Sequence, residues 1–122
     1  MSQRTAPTGS KNMRAEDLAE LAKIFKAMGE VSRLALLKAL MEQGELTVGA
    51  LVDATELSQA NVSKHLRHLH QASLVAPRRD GNSIHYRIAD DLVYDMCTLC
   101  CTRIDEKRAA LLRKLTETGV TL

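Results

Sequence analysis

The chain has 122 residues, so we expect one domain, and a chain this small rarely encloses a substrate pocket alone, which favours a dimer over an enzyme. Hydrophobic residues make up 45% of it and no apolar run approaches the ~18 residues of a membrane span, which excludes a disordered chain and a membrane-spanning one. Aromatic residues make up only 2%, so RNA, whose exposed bases proteins bind by stacking, is not an expected partner.

The first third of the chain predicts a leader and two helices. Residues 1–14 are mostly polar and predict a disordered leader. A first helix is expected from Glu16, because apolar residues recur every three or four positions at Leu18, Leu21, Ala22, Phe25 and Met28. A second helix is expected to begin at Ser32 and end at Gln43, with an apolar face made of Leu34, Leu37, Leu40 and Met41.

Two short helices are predicted next. The third covers residues 47–55, with Val48, Leu51 and Val52 apolar. After a turn at Glu56 and Leu57, Ser58 is expected to cap a fourth helix that reaches about Ala72, since serine is a common N-cap residue.

A hairpin and a long helix complete the predicted fold. Strands are expected over residues 74–79 and 83–88, joined through Asp80 and Gly81, a typical hairpin pair. A last helix is expected from Asp90–Asp91 to about Thr118. The predicted fold is mainly α with a small β-hairpin: a winged helix-turn-helix over residues 15–118 with flanking N- and C-terminal helices, and a tail over 119–122.

The charge of the chain is unevenly distributed. The net charge is +2, but residues 58–89 hold five cationic side chains and one acid, a net +4, so the remainder is acidic. All four histidines lie in the same stretch. This distribution favours a surface that binds a polyanion, although an ordinary solvated basic surface is the alternative.

The fourth helix carries the candidate reading face. On a helical wheel Val62, Leu66 and Leu69 share the core side, and His65 beside them is expected to be hydrogen-bonded and partly buried. Cationic and amide side chains on the other side suit phosphates and base edges in a DNA major groove. The candidate DNA-binding residues are Ser58, Gln59, Asn61, Ser63, Lys64, Arg67 and His68, with Arg78 and Arg79 of the hairpin expected on the phosphate backbone.

The run LSQANVSKHLRHLHQASLVAPRRDGNSIHYRIAD, residues 57–90, resembles the ArsR/SmtB family of metal- and stress-responsive repressors. The earlier AMGEVSRLALLKAL, residues 27–40, is similar to the second-helix signature of that family, with Val31 where proline is usual. The resemblance covers about residues 17–115. It implies a homodimer joined through the first and last helices, which binds double-stranded operator DNA with inverted-repeat character and represses until an inducer weakens binding.

Two inducer sites of the resembled family are missing. One uses Cys-Val-Cys on the third helix, where this chain has Thr47, Val48 and Gly49. The other uses Asp-x-His early in the last helix and two later ligands, and the corresponding residues here are Asp95, Cys97, Arg108 and Leu111. Arginine and leucine do not bind zinc, so that interhelical site is broken.

The remaining candidate sensor is a cluster of three cysteines, Cys97, Cys100 and Cys101. The chain has no secretion signal, so we expect the cytoplasm and no disulfide framework. On a helix Cys97 lies near both Cys100 and Cys101, and either pair with a ligand from the partner chain suits As(III), Sb(III) or another soft metal ion. Thiol redox or persulfide sensing, and simple packing in a dimer seam, stay open.

The sequence therefore predicts a homodimeric, sequence-specific repressor that a thiol-reactive inducer releases from DNA, with no cofactor required for DNA binding. The alternative of another class is a constitutive DNA-binding or architectural protein without an inducer. Apolar residues on the last helix, together with Leu18, Leu21 and Phe25 on the first, predict the dimer seam: Leu92, Met96, Leu99, Leu111, Leu112 and Leu115.

Overall fold

The computed structural model describes residues 12–119 and confirms a mainly helical winged helix-turn-helix. The elements in chain order are α1 (Ala15–Met28), α2 (Val31–Gln43), β1 (Leu46–Thr47), α3 (Val48–Thr55), α4 (Gln59–Gln71), β2 (Val75–Asp80), β3 (Ser83–Ile88) and α5 (Leu92–Glu117). The predicted leader and tail lie mostly outside the described residues and stay predictions.

Side-chain caps set where three of the helices begin. The Ser58 hydroxyl accepts a hydrogen bond from the backbone N–H of Asn61 at 3.1 Å, so Ser58 caps α4 as predicted. Thr47 caps α3 in the same way. The predicted start of α2 at Ser32 is one residue late, because the Glu30 carboxylate accepts from the backbone N–H of Arg33 at 3.0 Å and the helix begins at Val31.

The wing is a three-stranded antiparallel sheet in the order β1–β3–β2, not the isolated hairpin that we predicted. β1 pairs Leu46 with Tyr86, and a two-residue strand is too short to show an alternating pattern in the sequence. β2 begins and ends one residue later than expected, and Asp80 pairs with Ser83 around a loop of Gly81 and Asn82. Gly81 has φ +62°, a conformation that glycine adopts without strain.

The hydrophobic core lies between α2, α3, α4, the start of β2 and the first turn of α5. Its fully buried side chains are Leu36, Leu37, Leu40, Leu51, Val62, Leu66, Leu69, Leu74, Val75 and Val93. The predicted core face of α2 is partly wrong: Leu34 is 41% exposed, whereas Leu36 is fully buried. The side of α2 towards α3 and α4 takes Leu36, Leu37 and Leu40, and Leu34 is left near α5.

α1 and α5 leave much of their apolar surface uncovered. Phe25 on α1 is 52% exposed and Leu99 on α5 is 68% exposed, and Leu18, Leu21, Ile104, Leu111 and Leu112 are exposed as well. Only the first two turns of α5 pack against the core, through Val93, Met96 and Cys97. Within residues 12–119 no helix combines the length and apolar character needed to cross a membrane.

Candidate DNA interface and cysteine site

α4 presents two chemically different faces. Val62, His65, Leu66 and Leu69 are buried, as the wheel predicted. The exposed face carries cationic, amide, hydroxyl and imidazole groups and no acid. Every predicted DNA-binding residue of this helix and its cap is exposed: Ser58, Gln59, Asn61, Ser63, Lys64, Arg67 and His68. The arrangement leaves these side chains free to reach a ligand while the opposite face fixes the helix.

His65 holds α4 against the preceding helices. It is 9% exposed, and its Nδ1 lies 3.3 Å from Nη1 of Arg33. The same guanidinium donates to the backbone carbonyls of Ala27 at 2.7 Å and Lys26 at 3.1 Å. Burial lowers the pKa of His65, so the neutral imidazole is favoured. His65 is therefore a hydrogen-bonded, buried histidine, as the sequence predicts.

Arg78 and Arg79, which the sequence analysis treated alike, differ in the structure. Arg78 donates from Nε to Glu45 Oε1 at 2.6 Å, and a second guanidinium nitrogen contacts the same oxygen. This hydrogen bond lowers the pKa of Glu45 and raises that of Arg78. The His85 ring lies 3.8 Å from the same carboxylate. The charge of Arg78 is thus partly neutralised by a residue of the α2–β1 connection.

Arg79 points to the other face of the wing, because side chains alternate along a strand. It pairs across the sheet with Ile84, is exposed, and has no ion-pair partner in the described part of the chain. Of the two hairpin arginines, Arg79 is the one available to a phosphate.

A cationic groove that the sequence analysis missed lies between α1 and α4. It has a volume of about 630 Å³ and is lined by Lys23, Lys26, Ala27, Arg33, His68, Gln71 and Ala72. Lys23 also pairs with Glu20 at 3.2 Å. The spacing of three between the two lysines on α1 places them on one side of that helix. No sequence signal relates them to α4, since roughly forty positions separate the two elements.

The three cysteines are free thiols in different surroundings. Cys97 is half-buried against the core, and burial, with the nearby thiols of Cys101 and Cys100, raises its pKa. Cys100 and Cys101 are exposed. Cys97 and Cys100 line an open cavity of about 270 Å³ together with Phe25, Met28, Gly29, Leu34 and Met96, whereas Cys101 is not among its lining residues.

A single protomer does not assemble a three-ligand metal site in the part of the chain that the structure describes. No three His, Cys, Asp or Glu side chains between residues 12 and 119 are grouped closely enough to hold a metal ion. The predicted set of Cys97, Cys100 and Cys101 is therefore not preformed as a metal site in the protomer, although two of its members share a cavity.

Residues 30–76 match the family model described as bacterial regulatory protein, arsR family. The chain is 34% identical over 96 residues to a probable mercury resistance operon repressor of Streptomyces lividans, which covers 68% of this chain and 76% of that protein. The matched residues span α2, α3, α4 and the start of the wing, the same elements that carry the exposed cationic face.

Solved structures agree with this assignment. The homodimeric winged helix-turn-helix DNA-binding domain of a possible ArsR-family regulator from Mycobacterium bovis superposes with a TM-score of 0.71, at 33% identity, covering 83% of this chain and 93% of that one. The AntR antimony-specific transcriptional repressor gives a TM-score of 0.71 at 29% identity, covering 88% and 99%. The chain belongs to the arsR family of bacterial regulatory proteins and is a DNA-binding transcriptional repressor, not an enzyme.

Proposed function

We propose that the protein is a homodimer that binds operator DNA through α4 and the wing and is released by a thiol-reactive inducer, a trivalent metalloid such as arsenite or antimonite. The observation that carries the proposal is the exposed face of α4, which bears cations and amides and no acid while the opposite face is buried. The expected compartment is the cytoplasm, where thiols stay reduced.

The roles on DNA follow from the chemistry of each side chain. We assign Asn61 and Arg67 to base edges, since an amide suits adenine and a guanidinium suits guanine in the major groove. Lys64 suits a phosphate, and Arg79 suits the backbone beside the site because it has no competing ion pair in the described chain. Ser58, Gln59, Ser63 and His68 complete the proposed contact surface, and Arg78 supports the wing through Glu45.

A dimer is proposed because two surfaces need a partner. The apolar side chains of α1 and α5 are too exposed for a stable monomer surface. One recognition helix reads few base pairs, and two related by a dyad read both half-sites of an inverted repeat. The homodimeric state of the Mycobacterium bovis neighbour supports the same arrangement.

The cysteines are proposed to bind the inducer. Arsenite is As(OH)₃ near neutral pH, and three thiols displace its three hydroxyls as three waters, each thiol proton leaving on one hydroxyl. Arsenic remains trivalent and no electron is transferred, so the raised pKa of Cys97 does not oppose the reaction. The antimony-specific repressor and the mercury resistance repressor among the relatives support a soft, thiol-binding inducer. The third sulfur comes from Cys101 or from the partner chain.

The test is a titration of a fluorescent operator with the reduced dimer, followed by arsenite, antimonite, cadmium and zinc in separate samples. We expect arsenite and antimonite to release the DNA, and the triple variant with Cys97, Cys100 and Cys101 changed to serine to bind DNA normally and stay bound. A wild-type complex that none of these agents dissociates would make the protein a constitutive DNA binder.

Thiol oxidation is the second candidate, because Cys100 and Cys101 are exposed. A peroxide would accept two electrons and two protons from two thiols, giving one disulfide and two waters. An intact helix holds i, i+3 thiols farther apart than a disulfide requires, so the bridge would join two protomers or distort α5. Release of DNA by peroxide, reversed by dithiothreitol and absent with arsenite, would favour this candidate.

A further inference from the structure

We infer that the cavity between α1, α2 and α5 is a binding site for a trivalent organic arsenical. Cys97 and Cys100 bind the arsenic, and the organic substituent occupies the cavity. This inference rests on the proposed thiol-based induction and names the inducer class more narrowly. Two observations carry it: two thiols, not three, line one cavity, and the rest of the lining is apolar.

The pair of thiols has the spacing that one arsenic atom requires. Cys97 and Cys100 are separated by three residues on α5, which makes them surface neighbours on one side of the helix. Cys101 is turned by about 100° from Cys100 and lies outside the cavity lining. Inorganic arsenite needs a third sulfur, which no described residue supplies inside the cavity, whereas an organic arsenical needs only two.

The cavity is suited to an organic group. Apart from the two thiols and Gly29, its lining consists of Phe25, Met28, Leu34 and Met96, so no charged side chain is present. Its volume of about 270 Å³ exceeds the roughly 150 Å³ of an apolar cavity that accommodates benzene in another protein. A phenyl ring or a small alkyl group fits this space, and it would replace water against apolar side chains.

The binding step is balanced without an oxidant. An organic arsenical in water is R–As(OH)₂, and two thiols replace its two hydroxyls to give R–As bound to two sulfurs, with two waters released. The carbon–arsenic bond stays intact and arsenic remains trivalent. The third bond of arsenic is already made to carbon, so the pair of cavity cysteines completes its coordination.

The position of the cavity connects binding to DNA release. Phe25, Met28 and Gly29 belong to the C-terminal end of α1, and the carbonyls of Lys26 and Ala27 in the same turn hold Arg33, which contacts His65 of α4. An organic group placed between α1 and α5 therefore displaces the residues that position the recognition helix. Packed helices move between discrete arrangements rather than deforming continuously.

The experiment compares phenylarsine oxide, which hydrates to phenylarsonous acid, with arsenite on the same operator complex. We expect wild-type protein to release DNA at a phenylarsine oxide concentration about tenfold or more below that of arsenite. Cys101→Ser, the matched control, should keep this response, and intact mass should show one phenylarsenic per chain with both remaining thiols blocked. Cys97→Ser and Cys100→Ser should each respond to phenylarsine oxide at least about tenfold less strongly.

A second pair of variants tests the cavity itself. Leu34→Trp should fill it and remove the preference for phenylarsine oxide over arsenite, while Leu34→Ala should retain that preference. If Leu34→Trp fails to fold, the intact mass of Cys101→Ser protein still decides whether Cys97 and Cys100 bind one arsenic together. Equal potency of the two arsenicals, or loss of the phenylarsine oxide response in Cys101→Ser, would overturn the inference while arsenite-dependent release leaves the proposed function standing. No release by any arsenical would instead refute the proposed function.

Discussion

Arg33 determines which nitrogen of His65 carries the proton. A guanidinium only donates hydrogen bonds, so Nδ1 of His65, 3.3 Å from Arg33 Nη1, must accept, and the proton lies on Nε2. Nε2 faces the Glu30 carboxylate at 3.9 Å. A doubly protonated ring would place two N–H groups against each other at Nδ1. The contact therefore favours a neutral His65.

Stability should fall on mild acidification because of this contact. Burial lowers the pKa of His65 despite the opposing charge of Glu30, and Arg33, Lys64 and His68 lower it further. The unfolded chain then binds more protons than the folded one below the ordinary histidine pKa of about 6.5. The stabilising contribution is fully present above that pH and is lost as the pH decreases towards the lowered pKa.

We expect the melting temperature to drop between about pH 6.5 and pH 5.5, and His65→Gln to reduce that drop, because an amide can accept from Arg33 without titrating. Thermal melts across this pH range measure the effect. His70→Gln, at an exposed position of the same helix, is the control and should keep the wild-type pH dependence.

Lys64→Ala should weaken operator binding and lower the slope of log affinity against log salt concentration by about one unit, because one phosphate contact is lost. Arg67→Ala should relax the preference at one base pair, at a cost of about 1–3 kcal/mol for the preferred sequence. Fluorescence anisotropy at several salt concentrations measures both. Unchanged affinity in both folded variants would place α4 outside the groove.

Arg79→Ala and Arg78→Ala should differ although the two residues are adjacent. Arg79→Ala should reduce affinity for specific and random DNA alike, since a backbone contact carries no sequence information. Arg78→Ala should act through the wing, because its guanidinium pairs with Glu45, and Glu45→Gln should reproduce its effect. Equal losses from the two alanine variants, without an effect of Glu45→Gln, would contradict this division.

Leu99→Glu should produce a monomer at micromolar concentration, because a charge at a 68% exposed apolar position of α5 would be buried in the dimer seam. Val31→Glu is the control, since Val31 is 82% exposed and lies outside the proposed seam. Sedimentation velocity distinguishes the two outcomes. A dimer of unchanged affinity in Leu99→Glu would place the seam elsewhere.

Cadmium and arsenite should respond differently to pH. Cadmium binds thiolate and must displace the proton of Cys97, whose raised pKa keeps it protonated near neutral pH, so cadmium affinity should rise between pH 6 and pH 8 by roughly tenfold for each proton displaced per pH unit. Arsenite supplies a hydroxyl for each thiol proton, so its affinity should change little. Competition titrations at three pH values compare the two agents.

Sequence periodicity predicted the helices well because each has a core face defined by its own residues. Val62, Leu66 and Leu69 of α4 are buried as expected, and Ser58 caps that helix. β1 was missed because its two residues show a strand only when paired with β3. Leu34 was misplaced because α2 has apolar residues on more than one side, and only the packed neighbours select the buried ones.

The site was predictable where it lies within one element and not where it joins distant ones. The exposed residues of α4 could be identified from its wheel. The pairing of Arg78 with Glu45 joins residues 33 positions apart, and the contact of Arg33 with His65 joins residues 32 apart. Likewise, the spacing of the cysteines allowed two pairs, and only the packing of α5 against α1 and α2 shows that Cys97 and Cys100 share a cavity.

The 26 residues of α5 make a helix about 39 Å long, and from Thr98 to Lys114 every side chain is exposed in the single protomer. A helix without tertiary contacts over that length gains little stability from its own hydrogen bonds. Folding of this segment is then coupled to finding a second copy, so the melting temperature should rise with protein concentration. Operator occupancy at low expression becomes second order in chain concentration: halving the amount of chain lowers the dimer roughly fourfold. Repression then has a threshold in expression level that is independent of any inducer.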